Sequence, residues 1–164
     1  MVTGIEGGHT FWWDALADSF PDGLPSNLRN TALVQGRGME EEVRHWAGEH
    51  SLTISDLSGP FVAASWSDLE RVDSIPGIEI ASHTRTHANL AMLNDAELDS
   101  ELAGSNEELA AKIPGARPWV AYPYGLASAA VERAAERAGY EFAYRVEGGA
   151  LLSRDEPPSR FGLP

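Results

Sequence analysis

Between Gly77 and Val146 three short β-rich runs alternate with two helix-length stretches, and no other feature constrains the fold as much. Gly77-Ile78-Glu79-Ile80-Ala81, Trp119-Val120-Ala121-Tyr122 and Phe142-Ala143-Tyr144-Arg145-Val146 carry the β-branched and aromatic residues of strands. Asn94 to Ile113 reads as a helix: Asn94 can cap it, Glu97 lies three residues on, and Leu98, Leu102, Leu109 and Ile113 form one apolar stripe. A second helix is expected from about Ser128 to Ala138, with Gly139 as its terminating glycine. Strands joined by helix-length crossovers run parallel, so the expectation is an α/β fold. In such folds chemistry gathers at the carboxyl ends of the strands. Two loops lie there, Ser82 to His87 and Pro123 to Gly125.

The first third is less regular. Phe11 to Phe20 has helical spacing and stops at Pro21-Asp22-Gly23, and Met39 to His50 reads as a charged helix. Leu24 to Arg37 reads as irregular, with Pro25, Gly36 and Gly38 as breakers. Ser67-Asp68-Leu69-Glu70 has capping-box spacing and predicts a short helix.

Composition removes several functions. At 164 residues, with 43% hydrophobic and 23% charged, the chain is expected to form a single domain over 1–164 with a buried core. Its 25 Asp and Glu against 12 Lys and Arg give a net charge of -13, which argues against nucleic acid or an anionic membrane surface as partner. The absence of Cys removes thiolate nucleophiles and Cys-ligated zinc. The one lysine, Lys112, has no Gly-rich loop before it, so a P-loop is excluded. Met1-Val2-Thr3-Gly4 shows no signal-peptide pattern and no apolar run reaches membrane-span length, from which a cytoplasmic location is expected.

Ser82-His83-Thr84-Arg85-Thr86-His87 carries two His four apart, which on a helical turn would share a face and could reach one divalent ion, zinc being the natural choice. The bland reading is polar loop residues closing a strand end. Thr84 stands where a metallopeptidase helix has Glu, which disfavours peptidase chemistry. Two further ligands come into question: Glu79 by strand period, otherwise a charge partner, and Asp14, otherwise a helix-surface residue. Arg117 to Gly125 can be a buried aromatic strand and turn, or a sugar-stacking wall with a backbone N–H free for an oxyanion.

SHTRTH followed by Ala88-Asn89-Leu90, with AYPYG some way downstream, resembles the NodB-homology polysaccharide deacetylases of carbohydrate esterase family four. FWWDAL and the closing Arg160-Phe161-Gly162-Leu163-Pro164 are similar to segments of that family. The resemblance implies a distorted (β/α) barrel and metal-dependent hydrolysis of acetyl groups on an amino-sugar polysaccharide. It implies that His83 and His87 ligate the metal, and that Tyr124 offers its backbone N–H to the oxyanion, with Pro123 shaping that loop. Ser82 and Thr84 would hold the loop.

The family pattern is not complete. Its first motif, an Asp-Asp pair supplying the base and a third ligand, has no counterpart, since no Asp-Asp pair occurs in the 164 residues. Ala121 stands where the family has Arg, and no His follows His87 to act as late general acid. The expectation is therefore a partial barrel lacking its first strand and helix. The alternative is a non-catalytic carbohydrate-binding pseudoenzyme or an interaction fragment. Oligomeric state is left open.

Overall fold

The structure is a computed structural model that describes residues 2–4, 9–146 and 159–163. Met1 and Pro164, which belong to the opening and closing segments read above, lie outside the described residues.

Three parallel strands form the centre: β1 (Ala81–Ser82), β2 (Arg117–Ala121) and β3 (Phe142–Tyr144), in the spatial order β1-β2-β3. Ala81 pairs with Arg117 and Ser82 with Val120 across an irregularity, and Val120 pairs in turn with Ala143. The first strand is much shorter than 77–81 predicts. Ile78 to Ile80 precede the ladder, and only the Ile80 carbonyl bonds across, to the Arg117 amide at 2.7 Å. Among the described residues the sheet stays open and does not close into a barrel.

Two helices make the crossovers, α5 (Asp95–Lys112) and α6 (Ala129–Arg137). Asn94 caps α5 in a full capping box with Glu97, as expected, and Ser128 accepts from the Val131 amide at the start of α6. Leu98 and Leu102 bury against Val120, Tyr122, Val131 and Ala143, while Leu109 and Ile113 pack on Ile80. Each such aliphatic side chain contributes on the order of 1.5–3 kcal/mol by leaving water. The opposite sheet face is partly open, with the Trp119 ring 6.1 Å from Phe142 and 6.3 Å from Tyr144.

A second layer precedes the sheet in sequence, α1 (Trp12–Ala17), α2 (Ser26–Gln35) and α3 (Glu40–Glu49), whereas α4 (Trp66–Asp73) backs the sheet, packing Trp66, Leu69 and Val72 on the Ile80 cluster. The helix α2 corrects the expectation of an irregular 24–37. Its two breakers flank it, since Pro25 stands at the N-cap and Gly36 at the C-cap. Ser65 with Asp68, rather than Ser67 with Glu70, forms the capping box of α4, two residues earlier than expected. Trp12, Leu16, Ala32, Leu33, Val43 and Trp46 make the core of this layer. No helix among the described residues is long and apolar enough to cross a membrane.

Candidate functional site

Because β1 and β2 are neighbours pointing the same way, the loops leaving Ser82 and Ala121 emerge side by side. His83 Nδ1 lies 2.6 Å from the Ala121 carbonyl oxygen. An acceptor there fixes the proton on Nδ1 and leaves the Nε2 lone pair available.

The expected helical turn between the two His is not what forms. Thr84 (φ 69°) and His87 (φ 63°) both adopt the left-handed region, so the segment is a tight loop. It is held by side chains. Ser82 Oγ accepts from the Thr84 amide at 3.1 Å, and Thr84 Oγ1 from the His87 amide at 3.2 Å. Glu101, buried on α5, accepts from the Arg85 amide (3.1 Å), the Thr86 amide (2.9 Å) and the Thr86 hydroxyl (2.6 Å). The opening segment joins in, Thr3 and Gly4 donating to the carbonyls of Thr84 and Arg85. The imidazoles consequently still meet, with centroids 4.6 Å apart and planes at 79°.

His87 is packed between Trp13 (4.5 Å) and Tyr124 (4.7 Å), and its buried Nδ1 has no hydrogen-bond partner among the described residues. Burial lowers the pKa of His83, and burial with the neighbouring His83 lowers that of His87 from its ordinary 6.5 to about 3. Both rings are therefore neutral at pH 7, the protonation state that ligates a cation. An orphaned buried ring nitrogen beside a tautomer-fixed imidazole fits a divalent metal, although among the described residues no third His, Asp or Glu joins the pair.

Of the other carboxylates considered, Glu79 is tied to Arg117 at 2.7 Å, before β1 begins and away from the His loop. That pairing removes it from the ligand set. Asp14 instead shares a cavity of about 490 Å³ with Trp13, Leu24, Arg29, His87 and Tyr124, where burial raises its pKa. It is thus a cavity residue rather than a plain helix-surface one.

Pro123 is buried and starts a short 3₁₀ turn in which Tyr124 takes φ 58°, ψ 4°. Gly125 donates to the Tyr122 carbonyl and Leu126 to the Pro123 carbonyl, and the Tyr124 amide between them is matched to no carbonyl among the described residues. Tyr122 belongs to the core, its hydroxyl donating to the Phe161 carbonyl. Tyr124 faces the site, and burial pushes its phenol upward.

The corner between α2 and α3 seats the helical layer on both loops. Gly38, at φ 67°, has the Asn89 amide 3.1 Å and the Tyr124 ring 3.2 Å from where a Cβ would stand. Asn89 donates to the Arg37 and Leu33 carbonyls, and Trp12 Nε1 to Gly38 O. Sequence reasoning gave no site role to Trp13, Arg29, Gly38 or Glu101; Trp13 lies in the family-like FWWDAL segment and Gly38 counted only as a breaker.

A sequence profile described as polysaccharide deacetylase matches residues 27–143, more than half of the chain. The chain belongs to the polysaccharide deacetylase family. Among solved structures, the Bacillus anthracis protein BA0330, described as a polysaccharide deacetylase, is 25% identical with a TM-score of 0.56, over 63% of this chain and 32% of that one. The polysaccharide deacetylase BC0361 of Bacillus cereus is 24% identical with a TM-score of 0.53, over 76% and 42%. The Streptococcus pyogenes deacetylase PplD, at 18% identity and TM-score 0.50, matches over 56% and 40%. The chain thus spans about a third to two-fifths of the length of these structures. No curated protein matches it. The α/β architecture read from the strand and helix order is that of these deacetylases.

Proposed function

We propose that this chain performs the chemistry of its family, hydrolysis of the carbon–nitrogen bond of N-acetyl groups on an amino-sugar polymer, with a divalent metal, zinc by preference, held by His83 and His87. The observation that carries the reading is the buried, unpartnered Nδ1 of His87 beside a His83 ring whose tautomer the Ala121 carbonyl sets. Bound there, the metal would supply Lewis acidity toward the acetyl carbonyl and acidify a water. The protein contributes the rest. Trp13, Leu24 and the Tyr124 ring give the cavity apolar walls on one side, while its mouth opens to solvent, where a polymer can enter. The Tyr124 amide is the donor for the developing oxyanion, and Pro123 sets the turn that exposes it. Asp14, its carboxyl made more basic by burial, is the acidic side chain in the same cavity as His87 and the choice for accepting the water proton.

A second reading, glycan binding without turnover, is favoured by the absence of any three-residue metal cluster among the described residues. One pair of measurements separates the two. Zinc titration of the full chain should give one site, weakened at least about tenfold in His83→Ala and in His87→Ala, a loss expected for a removed ligand. Acetate release from an N-acetylglucosamine oligomer should depend on both His. Oligomer binding without acetate release from the zinc-loaded chain overturns the catalytic reading in favour of the second.

A further inference from the structure

Arg29 is unlike most cations of this chain. Eleven Lys and Arg fall among the described residues, and eight of them hold a carboxylate within 4 Å. Of the remaining three, Arg85 reaches Ser100 and Arg133 lies on α6. Arg29 alone of these lines the cavity that contains His87. Its guanidinium carbon stands 5.6 Å from the centroid of the Tyr124 ring, a distance at which a cation is held over an aromatic face. Asp14 lines the same cavity without pairing to it. Among the described residues the guanidinium is therefore oriented by the ring, and its N–H fork has no carboxylate partner and faces the cavity.

An uncharged acetamido-sugar polymer offers a guanidinium only hydroxyl, ether and amide oxygens. A carboxylate or phosphate fits the fork with two charge-assisted bonds, each roughly twice as strong as a neutral one. The background sharpens the argument, because a chain of net charge -13 repels anions except where a specific cation receives them. We propose that Arg29 is a specificity-determining residue that selects a polymer bearing an anionic group, carboxylate or phosphate, on the acetylated sugar or its neighbour. This rests on the deacetylase reading for the position of the acetyl group, the Tyr124 amide lying on the residue whose ring carries Arg29.

The test measures binding of the full chain, by calorimetry, to three probes: an uncharged N-acetylglucosamine pentamer, an oligomer of equal length with a lactyl carboxylate on alternate rings, and an acetamido-sugar polymer linked by phosphodiesters. At least one anionic probe should bind about tenfold tighter than the uncharged one, the equivalent of one charge-assisted pair. Arg29→Gln should abolish that preference without changing uncharged-oligomer binding or the circular dichroism, and Asp14→Asn should enlarge it. Which anionic probe wins names the anion. Equal binding of all three probes, no binding of any, or a preference that survives Arg29→Gln overturns the proposal. Acetate release, followed in the same samples, keeps the two questions apart: its absence with an Arg29-dependent preference intact sinks the deacetylase reading alone.

Discussion

The helices that back the sheet and those that lie before it start in different ways. Asn94, Ser128 and Ser65 each cap their helix with their own side chain. The residues before α1, α2 and α3, which are Phe11, Pro25 and Met39, make no side-chain cap. For α1 the need is met from a distance, the Trp12 amide donating to Glu40 Oε2 at 3.1 Å. Half of the molecule is thus specified locally and half by contacts across the chain. The site lies on the seam, its imidazoles and Tyr124 from the sheet half and Trp13, Asp14, Leu24 and Arg29 from the helices before it.

The largest loss expected from a single change within the sheet-backing half is that of Leu102→Ala. Leu102 is fully buried, so about 3 kcal/mol should go, read as a shift in a cooperative urea transition. A two-step transition instead would show that the halves unfold separately.

Next comes pH, acting at the seam. The pKa of His87 is about 3 in the folded chain against an ordinary 6.5. Between those values the unfolded chain binds more protons, so stability falls as pH falls through the window. It should be roughly 2 kcal/mol lower at pH 5 than at pH 8 on this group's account, and His87→Phe should flatten the slope. An unchanged slope in that variant would place the titration elsewhere.

Glu101→Ala removes the acceptor of three donors in the His loop and should cost about 2 kcal/mol in denaturant titration. It should also weaken zinc binding, with Glu101→Gln recovering part of both. Zinc affinity unchanged in Glu101→Ala would mean that the loop holds its shape without this clamp.

A smaller effect is expected from Trp12→Phe, which leaves the Gly38 carbonyl without its indole donor at a cost of about 1 kcal/mol. Hydrogen exchange should speed up in residues 12–50 and stay unchanged in α5 and α6. Faster exchange everywhere would erase the distinction between the halves. Smallest of all, Glu79→Gln breaks a half-exposed pair with Arg117 and should move stability by less than about 0.5 kcal/mol, with zinc affinity untouched.

The same division explains what the sequence made legible. The box at Asn94, the stripe Leu98-Leu102-Leu109-Ile113 and the glycine after α6 are local signals, and each appears where expected. The helix α2 was not legible, because Ser26 to Gln35 lacks a strong apolar stripe and is held by what Ala32 and Leu33 meet in the layer around them. The capping box of α4 forms at Ser65 with Asp68 rather than at the expected Ser67, a shift set by the packing of Trp66 against the Ile80 cluster. The two His were found as a pair, but their spacing suggested a helical turn, and positive φ at Thr84 and His87 leaves no mark in residues that are not glycine. Arg29 and Glu101 belong to no motif. They reach the site through helix placement, which a spacing argument does not contain.

The all-parallel sheet carries a further consequence, one of time rather than of energy. Among the described residues it contains no hairpin. Residue 82 finds 120, and 120 finds 143, only after a whole helix has been laid across each gap. Loop closure of that span is slow compared with helix growth, so α5 and α6 should be formed before any strand has a partner. The seam that carries the candidate site, which needs both neighbouring strand ends in place, is then among the last parts of the molecule to exist.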